Sequence, residues 1–193
     1  MTIMLLFTNL QFANRELQIN ESLEMKVHNG MRPQDIVILL KIAVSPQDWL
    51  AKDLSYALKI SQSEISESMN RSAQAGLLSA DKRILMKSSL LEFLIYGVKY
   101  VFPQQPGTLV RGLPTAHSAQ PLKGLVNASD VYVWQYIEGK SRGLSIEPLY
   151  RTVPQVCSHD RDLYQLLALT DALRVGKVRE QTLAISELKK RIV

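Results

Sequence analysis

Apolar residues recur every three or four positions along much of the chain, which is the pattern of amphipathic helices. After Pro33, a residue suited to the first turn of a helix, Ile36 and Leu40 place apolar side chains on one face. A second helix is predicted over residues 47–58, with its leucines on the inner face. The pattern therefore predicts two consecutive amphipathic helices from residue 33.

A third helix is predicted to follow after a short turn. Ser61 and Glu64 have the spacing of a capping box, in which the serine oxygen and the glutamate each accept a backbone N–H of the first turn. Ile65 and Met69 are spaced four apart and are expected to face inward. Gly76 is expected to end the helix in a left-handed conformation.

The segment after the third helix has the pattern of a small hairpin. Leu77-Leu78 predicts a short extended segment, Asp81-Lys82-Arg83 a polar turn, and Ile84-Leu85-Met86 a returning segment. Residues 33–86 thus predict three helices followed by a minimal wing.

The sequence on either side of this region has a different pattern. A helix is predicted over 12–28, inside an N-terminal extension of residues 1–31, and a long apolar helix over 88–101. Residues 103–130 contain four prolines and predict an irregular connection. The remainder predicts a strand at 131–137, a returning strand at 144–149 that would complete a hairpin, and two helices at 160–175 and 177–192.

Residues 33–86 resemble the winged helix-turn-helix domains of bacterial transcription regulators of the MarR and ArsR kind. The resemblance is carried by Leu54 to Met69, where apolar residues and the Ser61 cap occupy the expected positions, and by Ala73 to Leu78, the exit into the wing. It covers under a third of the chain. It implies DNA recognition by the third helix of a dimer.

The predicted fold class is mainly α with a small β component: a winged helix-turn-helix domain followed by a C-terminal β-hairpin and helical accessory domain. The expected divisions are an N-terminal extension at 1–31, the winged domain with its following helix at 32–102, the connection at 103–130 and the accessory domain at 131–193. The apolar helix at 88–101 is expected to carry the dimer contact, and the accessory domain to sense a signal or bind a protein.

The exposed face of the third helix and the basic residues around it are the candidate DNA contacts. Gln62 and Asn70 have the donor and acceptor pair that suits adenine, and Arg71 suits a phosphate or a guanine. Positive side chains in the turn and at the wing tip suit backbone phosphates. The full set of candidates is Lys59, Gln62, Ser63, Ser66, Glu67, Asn70, Arg71, Lys82 and Arg83.

Charge supports a polyanionic partner only modestly. The chain has a formal net charge of +5 and residues 59–87 carry five cations against three carboxylates. Phosphate contacts supply much of the affinity of DNA-binding proteins, and a dimer would double this local excess. A protein-interaction module, such as an antitoxin-like or regulatory partner of a neighbouring enzyme, therefore stays open as an alternative.

Catalytic and metal-binding patterns are weak. The three histidines have no metal-ligand spacing with one another or with the single cysteine, Cys157. Cys157-Ser158-His159 is read as a chance cluster, and His117 as a loop residue that bonds backbone. We expect no enzyme activity, no cofactor and no metal. One cysteine and the lack of a membrane-spanning run predict a cytoplasmic protein without membrane contact.

Overall fold

The computed structural model describes residues 30–46, 49–126 and 128–192. Within them the chain is mainly α-helical with one small three-stranded sheet, as the sequence predicts. The helix predicted over 12–28 lies outside the described residues. The elements are α1 (Pro33–Ala43), α2 (Ala51–Leu58), α3 (Gln62–Gln74), α4 (Lys87–Tyr96), α5 (Val98–Val101), β1 (Leu109–Pro114), a 3₁₀ turn (Ala116–Ser118), β2 (Tyr132–Gln135), β3 (Ser141–Ser145), α6 (Val153–Cys157), α7 (Arg161–Val175) and α8 (Val178–Ile192).

Helix α1 is the centre of the helical core. Pro33 occupies its first turn, and the Asp35 carboxylate accepts the Arg32 N–H at 2.8 Å, which satisfies one of the free donors at its start. Residues 36–40 are all buried, although periodicity predicts only one inward face. The reason is tertiary: α7 packs on α1 in addition to α2 and α3.

The end of α3 and the following turn agree with the sequence pattern. Gly76 has a φ of +72°, and the Leu77 N–H donates to the Ser72 carbonyl at 2.9 Å, which closes the helix in a Schellman motif. The chain then reverses, and Leu78 and Leu85 form an antiparallel bridge. This reversal is the small hairpin that the sequence predicts after the third helix.

The helix predicted over 88–101 is two helices. A turn at Gly97 separates α4 from α5, although φ of −109° and ψ of −42° stay in the right-handed helical region and the Gly97 N–H donates to the Phe93 carbonyl at 2.8 Å. Glycine weakens a helix interior because fixing its backbone costs more conformational entropy than fixing that of any other residue. Leu94 and Val98 are buried, whereas Tyr96 and Tyr100 are about 70% and 73% exposed. The segment is therefore half-buried, with an aromatic outer face.

The predicted hairpin of residues 131–149 is wrong, and the predicted irregular connection contains a strand. β1, from within 103–130, pairs antiparallel with both β2 and β3, which are parallel to each other and close a small barrel. Residues 136–140 cross over β1 at Gly112, which is opposite both Gln135 and Ser141. A Cβ at Gly139 would lie 2.3 Å from the Gly112 carbonyl, so the crossing requires glycine.

The last two helices match the predicted ones closely, with the break at Gly176, while α6 was not predicted. Asp160 caps α7 by accepting the Leu163 N–H at 3.1 Å. Helix α7 contacts α1, α5, α6 and α8, so the regions at 32–102 and 131–193 pack together within one compact unit, Met31–Val193. Among the described residues, no helix has both the length and the apolarity to cross a membrane.

Candidate nucleic-acid interface

Helix α3 has one face in the core and one in solvent. Ser61 and Glu64 form the expected capping box, with the Ser61 oxygen accepting the Glu64 N–H at 3.3 Å and the Glu64 carboxylate accepting the Ser61 N–H at 3.3 Å. Ile65, Ser68 and Ser72 are buried. The opposite face is polar and exposed, and its predicted contact residues are Gln62, Ser63, Ser66, Glu67 and Asn70.

The turn before α3 presents Lys59 to solvent. Lys59 ends α2 in a left-handed conformation with φ of 55°, while the next residue, Ile60, is 2% exposed and anchors the turn in the core. The Ser55 hydroxyl donates to the Ile60 carbonyl at 2.6 Å and fixes the turn further. The Lys59 ammonium is thereby placed beside the start of the exposed face.

The tip of the small hairpin, at Asp81 to Arg83, is an ordered polar turn. Asp81 accepts hydrogen bonds from the Ser79 hydroxyl and from the Arg83 N–H, and these bonds hold the pKa of the Asp81 carboxyl below its usual value. Lys82 has a left-handed φ of 60° and is half-buried, and Arg83 is exposed. Two cations and one ionised carboxylate therefore lie at the tip.

Arg71 does not lie on the exposed face with the other candidates. Its guanidinium donates twice to the buried Asp35 carboxylate of α1, from Nε at 2.9 Å and from Nη2 at 2.7 Å, and its side chain is 11% exposed. The hydrogen bond to Asp35 raises the pKa of Arg71 despite the opposing effect of burial. A buried carboxylate requires such a partner, so Arg71 joins α3 to α1.

A cleft of about 1060 Å³ opens beside the first turn of α3. Lys59 and the 90% exposed Tyr56 line one side of it, and His159 and Arg161 of the C-terminal region line the other. Asp160 and Asp162 also line the cleft, and the Lys41 ammonium lies 2.7 Å from the Asp160 carboxylate. The C-terminal region thus contributes a cation next to the presumed contact face, which the sequence pattern did not indicate.

The face, turn and tip together carry balanced charge. The cations are Lys59, Lys82 and Arg83, and the carboxylates are Glu64, Glu67 and Asp81. The amides and hydroxyls of α3 can donate to and accept from base edges, and the cations can neutralise phosphates. This combination suits a polar, anionic ligand with hydrogen-bonding groups.

The other chemically suggestive residues are built into the fold. Burial raises the pKa of the Cys157 thiol, while His159 is exposed, so the two do not form a reactive pair. His117 is buried, and its Nε2 lies 2.9 Å from the Asp130 carbonyl oxygen. No group of three or more potential metal-ligating side chains occurs in the described part of the chain.

A second buried ion pair organises the C-terminal region. Asp171 of α7 accepts from the Thr115 hydroxyl at 2.8 Å, from the Trp134 indole N–H at 2.6 Å and from Arg174 at 2.7 Å. Arg174 also donates to the Phe102 carbonyl at 2.9 Å. Two charged residues near the end of α7, Asp171 and Arg174, therefore tie the sheet and the Phe102 backbone to this helix.

Comparison with known proteins finds no match of the chain to a protein family model, to a curated protein or to a solved structure.

Proposed function

We propose that residues 33–86 form a winged helix-turn-helix module and that the chain is a DNA-binding transcription regulator. The observation that carries the proposal is the two-sided character of α3. Ile65, Ser68 and Ser72 fix the helix in the core, while the five candidate residues on its outward face are polar and exposed. A helix held in this way presents its first turns as a rigid edge that fits a major groove.

Each part of the surface has a distinct role in this mechanism. Gln62 and Asn70 would read base edges from the major groove, with adenine as the preferred partner. Lys59 and the wing-tip pair, Lys82 and Arg83, would contact backbone phosphates and set the register. Arg71 would support the site indirectly, because it fixes the angle between α3 and α1 through Asp35.

A homodimer would place two such helices on one operator. The outer face of α4 and α5 exposes Tyr96, Tyr100 and Val101, and an aromatic surface of this kind is typical of protein contacts. Two-fold symmetry would then present the two α3 helices to two half-sites. Operator occupancy would block or recruit polymerase in the cytoplasm.

The test is a fluorescence-anisotropy titration with random and selected duplex DNA at two salt concentrations. The wild-type chain should bind random duplex at low salt, with an affinity that falls steeply as salt rises. Gln62→Ala combined with Asn70→Ala should lower the affinity for the selected site by about tenfold to a hundredfold and leave random binding unchanged. Gln105→Ala, an exposed amide in the loop before β1, is the matched control.

An absence of duplex binding at low salt would refute the proposal. The same aromatic face of α4 and α5 favours the second candidate, a protein-interaction module that partners an enzyme. Light scattering coupled to gel filtration separates the two readings of that face. The regulator is supported if the wild-type chain is a homodimer and the double variant Tyr96→Ser, Tyr100→Ser is a monomer. The interaction module is supported if the wild-type chain is a monomer that copurifies with one stoichiometric protein.

A further inference from the structure

Two strands of the small barrel carry the same three residues. β1 contains Arg-Gly-Leu at 111–113 and β3 contains Arg-Gly-Leu at 142–144. The antiparallel register places Arg111 directly opposite Arg142. Cross-strand neighbours of this kind have Cβ atoms about 4.5–5.5 Å apart. The fold therefore places the two arginine side chains at neighbouring positions on one face of the sheet.

The glycines and the arginines of these triplets serve opposite faces of the sheet. A Cβ at Gly112 would lie 1.9 Å from the Trp134 carbonyl oxygen, and one at Gly143 would lie 2.3 Å from the Val131 carbonyl oxygen. Closure of the barrel explains both glycines. It does not explain the arginines, whose side chains are on the outer face.

The two arginines are exposed and lack carboxylate partners among the described residues. Like charges directly opposite on a sheet are destabilising, so the pair costs stability in the free protein. An anion placed between them would reverse the sign of this interaction. The arrangement contrasts with Arg71 and Arg174, which are both neutralised by aspartates.

The surroundings of the pair add positive charge. Lys140 is exposed and precedes β3, and Arg142 lines a cleft of about 410 Å³ together with Lys123. Asp130 lines the same cleft, and Glu138 nearby in the chain accepts a hydrogen bond from the Tyr136 hydroxyl at 2.9 Å. Cations thus outnumber carboxylates on this side of the sheet.

We propose that Arg111 and Arg142 bind phosphate groups of a nucleic-acid backbone, as a phosphate contact additional to those of α3. The identification of the ligand as nucleic acid rests on the proposed function. Guanidinium forks match phosphate oxygens, and each offers five donors. Arg142 lines the cleft but Arg111 does not, so the pair as a whole suits an extended polyanion better than a small ligand, which needs a concave site around it.

The test compares variants by anisotropy with random duplex DNA over a range of salt. Arg111→Gln combined with Arg142→Gln should weaken binding on the order of tenfold and reduce the salt slope by about 1.8. Arg179→Gln with Lys189→Gln, which removes two exposed cations from α8, is the matched control and should change affinity less than about twofold. The Gln pair should melt no lower than that control.

The outcomes separate this inference from the proposed function. If Lys59→Gln with Lys82→Gln weakens duplex binding and the arginine variant behaves as the α8 control, the arginine site is refuted alone. If only the arginine variant loses affinity, the role of the α3 surface is refuted instead. Calorimetry with pyrophosphate gives one more outcome that would overturn the inference. If the arginine variant loses the pyrophosphate binding of the wild-type chain but keeps its duplex binding, the pair is a small-anion site.

Discussion

The two halves of the molecule, a helical half (α1 to α5) and a sheet half (β1 to α8), each contain a buried aspartate–arginine pair, but the pairs are built differently. In the helical half, Arg71 binds Asp35 with two parallel hydrogen bonds between α3 and α1. In the sheet half, Arg174 binds Asp171 one turn away on the same helix, and both side chains spread their remaining bonds over the sheet and loops. One pair joins two helices, and the other gathers donors around one carboxylate.

The two pairs differ in the environment of the arginine that is left unpaired when its aspartate is removed. Arg71 is 11% exposed and has Glu67 at 3.8 Å, so it can turn toward solvent. Arg174 is 5% exposed, and Asp171 also satisfies a buried hydroxyl and a buried indole. Unpaired buried polar groups are costly, so the second arrangement should be the more sensitive.

The largest expected effect is therefore that of Asp171→Ala. It removes the only carboxylate among the described residues that pairs with Arg174, and it leaves the Thr115 hydroxyl and the Trp134 N–H without their acceptor. We expect the free energy of unfolding in urea to fall by about 3–5 kcal/mol with little change in the denaturant slope. Asp162→Ala, at an exposed position of the same helix, should change stability by less than about 0.5 kcal/mol. A loss below about 1 kcal/mol for Asp171→Ala would contradict the assignment of a buried hub.

Asp35→Ala should have a smaller effect. The variant loses the pair and the cap that Asp35 provides to the Arg32 N–H, but Arg71 can turn toward solvent. We expect a loss of about 2–3 kcal/mol by the same urea measurement. Equal or larger losses than for Asp171→Ala would break the proposed distinction between the two pairs.

The helical half was the more predictable one because its signals are local. The cap at Ser61, the glycine end at Gly76 and the apolar spacing between them act within one turn or two of the chain. The barrel was missed because β1 pairs with two strands from a distance and lies in a proline-rich segment. Strand pairing of this kind is set by tertiary contacts that periodicity does not encode.

The candidate site was predictable in part for the same reason. Helical spacing identifies the exposed face of α3, but it cannot tell whether a charged residue at the edge of that face meets a buried partner. The partner of Arg71 is Asp35, which is 36 residues away. A usable signal was present, since Asp35 stands immediately before the apolar run of α1. A charge at the edge of a buried run implies a partner on another element.

The pH dependence of stability offers a further distinction. Burial raises the pKa of Asp171, although Arg174 and two neutral donors oppose the rise. The folded chain therefore holds this proton more tightly than the unfolded chain, whose aspartates titrate near pH 3.9. Stability contributed by the protonated form is fully present below that pH and is lost as pH rises through the raised native pKa.

We expect the stability of the wild-type chain relative to Asp171→Asn to decrease as pH rises above about 4 and then to level off. Glu187 supplies the opposite case, because hydrogen bonds from Lys190 and Arg191 lower the pKa of its carboxyl. Relative to Glu187→Gln, the wild-type chain should lose stability as pH falls below about 4.3. Urea unfolding across this pH range measures both, and slopes of the same sign would contradict the assigned causes.

The smallest expected effect comes from an arginine pair with no aspartate at all. Arg111 and Arg142 face each other across β1 and β3, so replacing either by glutamine should remove a repulsion and raise stability by about 0.2–1 kcal/mol. The second substitution should add almost nothing, because one replacement already abolishes the repulsion, and the double-mutant cycle measures this coupling directly. The gain should disappear near 1 M salt, where the screening length is about 3 Å.

The control is Arg151→Gln, which replaces an exposed arginine outside the pair and should show no such coupling. If both single variants destabilise the chain, the arginines support the sheet themselves, and their juxtaposition no longer requires an anion to account for it.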